Sequence, residues 1–275
     1  MPELPELEVL KENLLSKIKG KEIEQLRILK PYILKSYFRN DLFGEKIKDV
    51  TRKGKFILLV LKSHTLVVHL MLHGSVKYVL PLRKPKKSAA ALIIFKDDTF
   101  LEMSESSSKK RMSLYVLNSN ELLKQIENLG VDPLGRYFSR SRLRDLLYSE
   151  PRQLKSFLRK QSKIAGIGNA YADEILWQAQ LSPFKITTHL EDKEIERFYN
   201  AITNVLENAI AIIRDQAISE KREFLKIHGK QGKLCPRCGA SIERVSFSRT
   251  ETFYCPRCQT KGRKLKDRRM SQFYR

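Results

Sequence analysis

The chain has 275 residues, 41% of them hydrophobic, and 53 Lys and Arg against 31 Asp and Glu, for a net charge of +22 and a pI near 9.9. That apolar content is enough for real cores in one large or two ordinary domains, and no apolar run approaches the ~20 residues of a membrane span. A cationic surplus of this size favours a polyanionic partner, nucleic acid first, with ribosomal RNA or an anionic membrane surface as alternatives.

The chain starts Met-Pro-Glu-Leu-Pro-Glu, which is acidic and lacks the apolar centre of a signal peptide, so a soluble cytoplasmic protein in a reducing compartment is expected. Residues 5–19 read as a helix: Leu7, Leu10, Leu14 and Ile18 recur at three- and four-residue steps, and Gly20 follows as a stop. From about residue 22 to 117 the pattern changes to short β-rich runs at 23–29, 56–61, 65–72, 76–80, 91–95 and 114–117. Gly44, Gly54, Gly74 and Pro81 punctuate these runs, which suggests a β-sandwich. Residues 83–87 form a basic loop and 104–111 a polar one. Helical periodicity governs segments near 121–128, 140–148, 151–160, 170–180 and 190–217. The longest sets Ile195, Phe198, Ile202, Val205, Ala209 and Ile212 on one stripe.

All four cysteines follow, as Cys235-Pro-Arg-Cys238 and Cys255-Pro-Arg-Cys258. Two Cys-x-x-Cys pairs at this separation are the ligand set of one structural Zn2+, with room between them for a β-hairpin. Disulfides suit the spacing less well, and a redox role needs only one pair. Residues 261–275 are a basic tail with no core pattern. The organisation is thus a β domain, a helical domain, a zinc hairpin and a tail.

Two further motifs can carry chemistry. Gly166-Ile167-Gly168-Asn169 is a glycine-rich corner opening a helix, where the backbone can approach a ligand and Asn169 can cap the helix or meet a phosphate. Taken alone, it fits a plain helix–turn–helix corner; in a chain of this charge, a DNA-backbone clamp fits as well. At the N-terminus stand Pro2, Glu3 and Glu6. Processing that removes Met1 would leave a secondary amine with a pKa near 8, partly neutral at pH 7 and able to attack a carbonyl-like carbon. Glu3 beside it could shuttle protons. Read without the rest, these residues fit a helix start better, since proline and first-turn carboxylates stabilise one.

The start Pro2-Glu3-Leu4-Pro5-Glu6, the turn Arg52-Lys53-Gly54-Lys55, His69-Leu70 with Gly74, the Gly166-to-Tyr171 corner, Gly229-Lys230-x-Gly232 and the cysteine quartet occur in one order. This resembles the bifunctional DNA glycosylases of the formamidopyrimidine-DNA glycosylase and endonuclease VIII family, over residues 2 to about 259. The resemblance implies an α+β multidomain fold. It would comprise an N-terminal helix plus β-sandwich (1–118), a helix–two-turn–helix domain (119–225), a β-hairpin zinc finger (226–260) and the tail. It further implies a monomer at the nucleoid that excises damaged bases from double-stranded DNA and cleaves the abasic site. Pro2 would form the Schiff base, with β,δ-elimination following. Glu3 would act as acid and base, and Glu6 would support the N-terminal site. Lys55 and Asn169 resemble phosphate ligands flanking the lesion, Gly166 and Gly168 shape the corner, and Lys155 matches a lysine ahead of it.

The chain departs from the family pattern at several places. Leu72 stands where a methionine fills the vacated base space; a leucine wedge is physically adequate. Ser107 to Met112 lacks the usual aromatic wedge and arginine, which leaves Lys109 or Arg111 to meet the orphaned base. The stretch 215–225 is short for a lesion-capping loop. The zinc-hairpin arginine is expected five residues before Cys255, where Thr250 stands; Arg249, one place off, serves only if the hairpin carries a bulge. These departures keep open a lesion- or abasic-site-binding relative without ordinary turnover. A zinc-ribbon protein bound to RNA or ribosomes is the third reading. His69 and His73 read as strand residues outside the catalytic set, Trp177 as core, and Glu174 as a helix-face or salt-bridge residue close to the Asn169 corner.

Overall fold

The structure, a computed structural model, describes residues 1–36, 42–81, 83–121, 123–215, 222–247 and 250–265. The chain divides into two compact units, Met1–Asn128 and Leu129–Arg275.

The first unit opens with helix α1 (Leu4–Ile18), which begins on a reciprocal capping box between Glu3 and Glu6 and buries Leu7, Leu14 and Ile18. The chain leaves it through Gly20, at φ +80°. Eight strands follow: β1 (Ile23–Ile28), β2 (Asp49–Lys53), β3 (Phe56–Val60), β4 (His64–His69), β5 (Gly74–Val79), β6 (Ala89–Phe95), β7 (Phe100–Glu105) and β8 (Ser113–Asn118). They form two antiparallel sheets in the orders β1-β6-β7-β5 and β2-β3-β4-β8. Side chains of both sheets and of α1 share one core, including Leu7, Ile18, Ile57, Val68, Ile93 and Leu101. This is the sandwich the sequence suggests, with two strands it did not, β2 and β7. The run at 65–72 ends as a strand at His69, and Leu72 lies in a turn. The polar loop is shorter than its sequence reading, because Ser104 and Glu105 belong to β7 and are buried.

Register brings three connections to one end of the sandwich. Phe56, which follows the Gly54–Lys55 turn, pairs with His69, and His69 pairs with Ser113. Gly74 pairs with Glu105. The turn after His69 and the loop after Glu105 both cross from one sheet to the other here. A Cβ on Gly74 would lie 2.4 Å from the Leu70 carbonyl oxygen and 3.0 Å from the Met112 sulfur, so only glycine lets the two crossings pass so closely.

The second unit holds helices α2 to α6 apart from α2, which closes the first: α2 (Lys124–Glu127), α3 (Arg140–Tyr148), α4 (Leu154–Arg159), α5 (Asn169–Gln178) and α6 (Asp192–Asp215). The apolar stripe of α6 is buried at Ile195, Phe198, Ile202 and Ala209. Strands β9 (Glu243–Phe247) and β10 (Thr250–Tyr254) make an antiparallel hairpin, and α7 (Pro256–Gln259) carries the last cysteine knuckle. No helix among the described residues is long and apolar enough to cross a membrane.

Candidate active site and nucleic-acid interface

In the first unit, Pro2 is half-buried and the Glu3 side chain that follows it is buried, at 3% exposure. The Glu3 backbone N–H donates to Glu6 Oε2 at 2.9 Å. The sequence-level alternatives at this end are therefore both present in form: a capped helix start, and a buried carboxylate beside the imino residue.

Lys55 is buried, 8% exposed, in the turn between β2 and β3. Arg52, named in the sequence only as part of this turn, and Glu8, which sequence reasoning missed, tie the turn to α1. Arg52 Nε donates to Glu8 Oε2 at 2.7 Å, and its Nη1 donates to the Gly54 carbonyl at 3.2 Å. Burial opposes ionisation of Glu8, yet hydrogen bonds from Lys11 and Arg52 hold its carboxyl below the usual range. The Arg52–Glu8 pair fixes the turn that presents Lys55 relative to the helix that presents Pro2.

Leu72 sits 42% exposed at the tip of the crossing after His69. The turn is tight: Met71 has φ +53°, its N–H donates to His69 Nδ1 at 3.1 Å, and Gly74 N–H donates to the Leu70 carbonyl at 2.9 Å. Burial, helped by the Lys55 charge, lowers the His69 pKa from 6.5 to about 4, so the ring is neutral and its Nδ1 stays an acceptor. His69 is thus a support for the turn, its hydrogen bond satisfied as the sequence suggested. Lys109 and Arg111 are exposed on the second crossing. That loop is anchored by buried Glu105, whose two oxygens accept the N–H groups of Arg111 at 3.0 Å and Met112 at 3.1 Å.

In the second unit, the Gly-Ile-Gly-Asn corner is built by a side chain outside the motif. Gln161 Oε1 accepts the Gly166 N–H at 2.9 Å, and its Nε2 donates to the Ile167 carbonyl at 2.8 Å. Gly166 takes φ +93°. The helix cap is Gly168, not Asn169, which is the first helical residue. Asn169 is free of capping because its Nδ2 donates instead to the Glu251 carbonyl of β10, at 3.1 Å. Its Oδ1 is buried without a donor among the described residues.

Lys155 is buried and donates to the same Glu251 carbonyl at 2.7 Å and to Asp173 Oδ1 at 2.6 Å. Asp173 Oδ2 faces His228 Nδ1 at 2.7 Å and accepts the Phe253 N–H at 3.3 Å. Glu174 accepts three backbone N–H groups, of Lys226, Ile227 and His228, at 2.8–2.9 Å. Burial pushes its pKa up against the pull of those donors. The helix-face reading of Glu174 gives way to a buried anchor for the segment leading into the zinc module. Trp177 is core as expected, and its indole N–H points at Cys235 Sγ, 3.3 Å away.

The four cysteines are unbridged, and their sulfurs lie within 4.8 Å of one another. Cys235–Cys258 and Cys238–Cys255 are separated by 3.9 and 3.4 Å between sulfurs. A tetrahedron of sulfurs about 2.3 Å from a metal has edges of about 3.8 Å, so the set fits one structural Zn2+. Arg249 lies outside the described residues, as do 216–221 and 266–275. The described ladder of the hairpin runs unbroken from Thr250↔Phe247 to Tyr254↔Glu243, without the bulge that would move Arg249 into register.

Comparison with known proteins agrees with this architecture. Residues 1–111 match the formamidopyrimidine-DNA glycosylase N-terminal domain, 129–221 the formamidopyrimidine-DNA glycosylase H2TH domain, and 232–261 the zinc finger found in FPG and IleRS. The formamidopyrimidine-DNA glycosylase of Pelotomaculum thermopropionicum is 33% identical, over 94% of this chain and 99% of that one. The Lactococcus lactis enzyme non-covalently bound to DNA containing an AP site superposes with a TM-score of 0.85 at 26% identity, over 94% of this chain and 99% of that one. A second crystal structure of the L. lactis protein, with DNA containing Fapy-dG, gives the same TM-score of 0.85 and 26% identity, over 94% and 100% of the two chains.

Proposed function

This chain belongs to the formamidopyrimidine-DNA glycosylase family of DNA repair enzymes, and from that premise we propose how its own residues act on damaged double-stranded DNA. Loss of Met1 exposes the secondary amine of Pro2, partly neutral at pH 7 because an α-amino group has a pKa of about 8. The damaged nucleotide is turned out of the duplex. The Pro2 nitrogen attacks C1′, and the base leaves with the C1′–N bonding pair and takes up the amine proton. Glu3, as an acid, protonates the sugar ring oxygen; the ring opens and an iminium double bond forms between Pro2 and C1′. The Glu3 carboxylate so produced removes a C2′ proton, the 3′ phosphate leaves, and a second elimination expels the 5′ phosphate.

Other residues bind and orient. Lys55 and Asn169 hold backbone phosphates, with Lys155 and the Gly166–Gly168 corner setting Asn169. Leu72 fills the space the flipped base vacates, and Lys109 or Arg111 meets the base left opposite. Glu6 keeps the N-terminal residues in place through the Glu3 backbone N–H. The activity is that of a monomer in the cytoplasm, at the nucleoid.

The observation that carries this reading is the Glu3 carboxylate, 3% exposed and directly after Pro2. A carboxylate held out of water next to an amine nucleophile can serve as a proton carrier. Borohydride trapping on abasic-site DNA, followed by mass measurement of the adduct, tests it. The expected species is one protein chain lacking Met1 joined to DNA, and Pro2→Gly lowers its yield by replacing the secondary amine with a primary one. Absence of an adduct, or an adduct indifferent to Pro2→Gly, refutes the mechanism. Tight lesion-selective binding with no base release across a lesion panel would leave a binding protein of this family.

A further inference from the structure

The arginine expected on the zinc hairpin is replaced by Thr250, yet the hydroxyl of Thr250 is itself occupied. It accepts a hydrogen bond from Arg159 Nη1 at 3.0 Å, across 91 residues of sequence. Arg159 is the last residue of α4, four residues after Lys155 and therefore on the same helix face. That face runs along β10: Lys155 reaches the Glu251 carbonyl and Arg159 the neighbouring Thr250 side chain. Asn169 Nδ2 also binds the Glu251 carbonyl. The Arg159 guanidinium and the Asn169 amide thus attach to consecutive residues of one strand, whose spacing is about 3.3 Å.

Several arginines of the chain are paired with carboxylates. Arg52, Arg144, Arg152 and Arg244 each face a carboxylate, of Glu8, Asp192, Glu150 and Glu251 respectively. Arg159 is exposed and is oriented by a neutral hydroxyl, so its positive charge is not cancelled by its anchor. Its remaining N–H groups have no partner among the described residues. The nearby Glu251 carboxylate, which would repel an anion, is taken up by Arg244 at 2.6 Å. An exposed planar cation held by one N–H, with the others unengaged among the described residues, is suited to a phosphate.

We propose that Arg159 is a DNA-phosphate ligand, supplied by α4 and aimed by Thr250, beside Asn169. The proposal rests on the damaged-DNA reading above. It moves a cationic contact from the hairpin to the helix whose Lys155 and Arg159 reach it, with Thr250 keeping the position.

The test measures affinity of the full zinc-loaded chain for duplex DNA carrying a tetrahydrofuran abasic analogue, across a salt series. Arg159→Gln is expected to weaken binding roughly tenfold and to reduce the salt slope by about one. Thr250→Val is expected to weaken it less, since the charge stays and only its aim is lost. Zinc content and the circular-dichroism spectrum report folding of both variants. Wild-type affinity and slope in folded Arg159→Gln overturn the proposal, as does a Thr250→Val loss larger than that of Arg159→Gln. Arg249→Gln taking the whole effect, with Arg159→Gln silent, returns the contact to the hairpin. Failure of the wild-type chain itself to bind the duplex in a salt-dependent way sinks the functional reading and this proposal together.

Discussion

Acidification between pH 6.5 and 4 should loosen the turn that carries Leu72, through His69. The ring titrates near 6.5 in an unfolded chain and at about 4 in the fold, where burial and the Lys55 charge disfavour its protonated form. The unfolded chain therefore takes up the proton first. Stability is complete above pH 6.5, declines as pH falls, and stops declining from this cause below about 4. Linkage gives about 2 kcal/mol lost at pH 5 and about 3 kcal/mol at pH 4, upper values because the ring retains some contact with water. Asp97 and Glu150, both held down to about 2, begin to lose their stabilisation only at the acid end of that window, and they are common to both proteins compared below, so they cancel in the difference. The variant His69→Gln keeps an acceptor for the Met71 N–H but cannot titrate. Urea unfolding of both proteins at several pH values isolates the effect, since the self-repulsion of a +22 chain is common to both and cancels in the difference. Proton NMR of the His69 ring gives the folded pKa directly. A ring titrating near 6.5, or equal pH dependence of the two proteins, refutes the account of why this histidine is neutral.

Two other substitutions separate fold from function. Asp173→Asn leaves Lys155 buried without its counter-charge, and is expected to lower stability by about 3–5 kcal/mol in urea titrations; the double change Lys155→Met with Asp173→Leu should recover part of that loss. Leu72→Ala removes an exposed side chain, so unfolding free energy should move by no more than about 0.5 kcal/mol, while affinity for abasic-site duplex in a fluorescence-anisotropy titration drops several-fold; unchanged affinity would remove Leu72 from the interface.

The parts of the candidate site legible in the sequence are those set by short local spacings. The cysteine spacing, the Gly-x-Gly-Asn corner and the Pro-Glu start each need particular residue types at fixed short separations, and the structure shows the first two as compact local forms. β2 was not legible, since Asp49–Lys53 has only Val50 as an aliphatic residue and owes its strand form to the ladder with β3. β7 was half-hidden because its acidic residues are buried: Glu102 accepts the Lys86 N–H at 2.8 Å and Glu105 those of Arg111 and Met112. Polarity alone assigns such residues to loops; only the distant donors that satisfy them explain their burial. The same holds for Gln161, Asp173 and Glu174, whose partners lie 5 to 80 residues away. Arg159 carried no local signal at all, and the role proposed for it rests on a hydroxyl of another element.

The spacing of those partners on α5 explains why a metal belongs in this unit. Asn169, Asp173 and Trp177 stand four residues apart, on one stripe of the helix. Asn169 binds the Glu251 carbonyl, Asp173 the Phe253 N–H, and Trp177 reaches the sulfur of Cys235. One helix face therefore reads along the hairpin from its strand to its metal knuckle. The hairpin has little core of its own, chiefly Ile227, Ile242 and Phe253 with the cysteines, and would not hold its shape by apolar burial alone. Four thiolates on one Zn2+ supply the missing rigidity. Rigidity at the knuckle fixes β10, and β10 fixes the carbonyl to which Lys155 and Asn169 are bound. Zinc thus acts on Asn169 from a distance, by fixing the strand carbonyl that its amide binds.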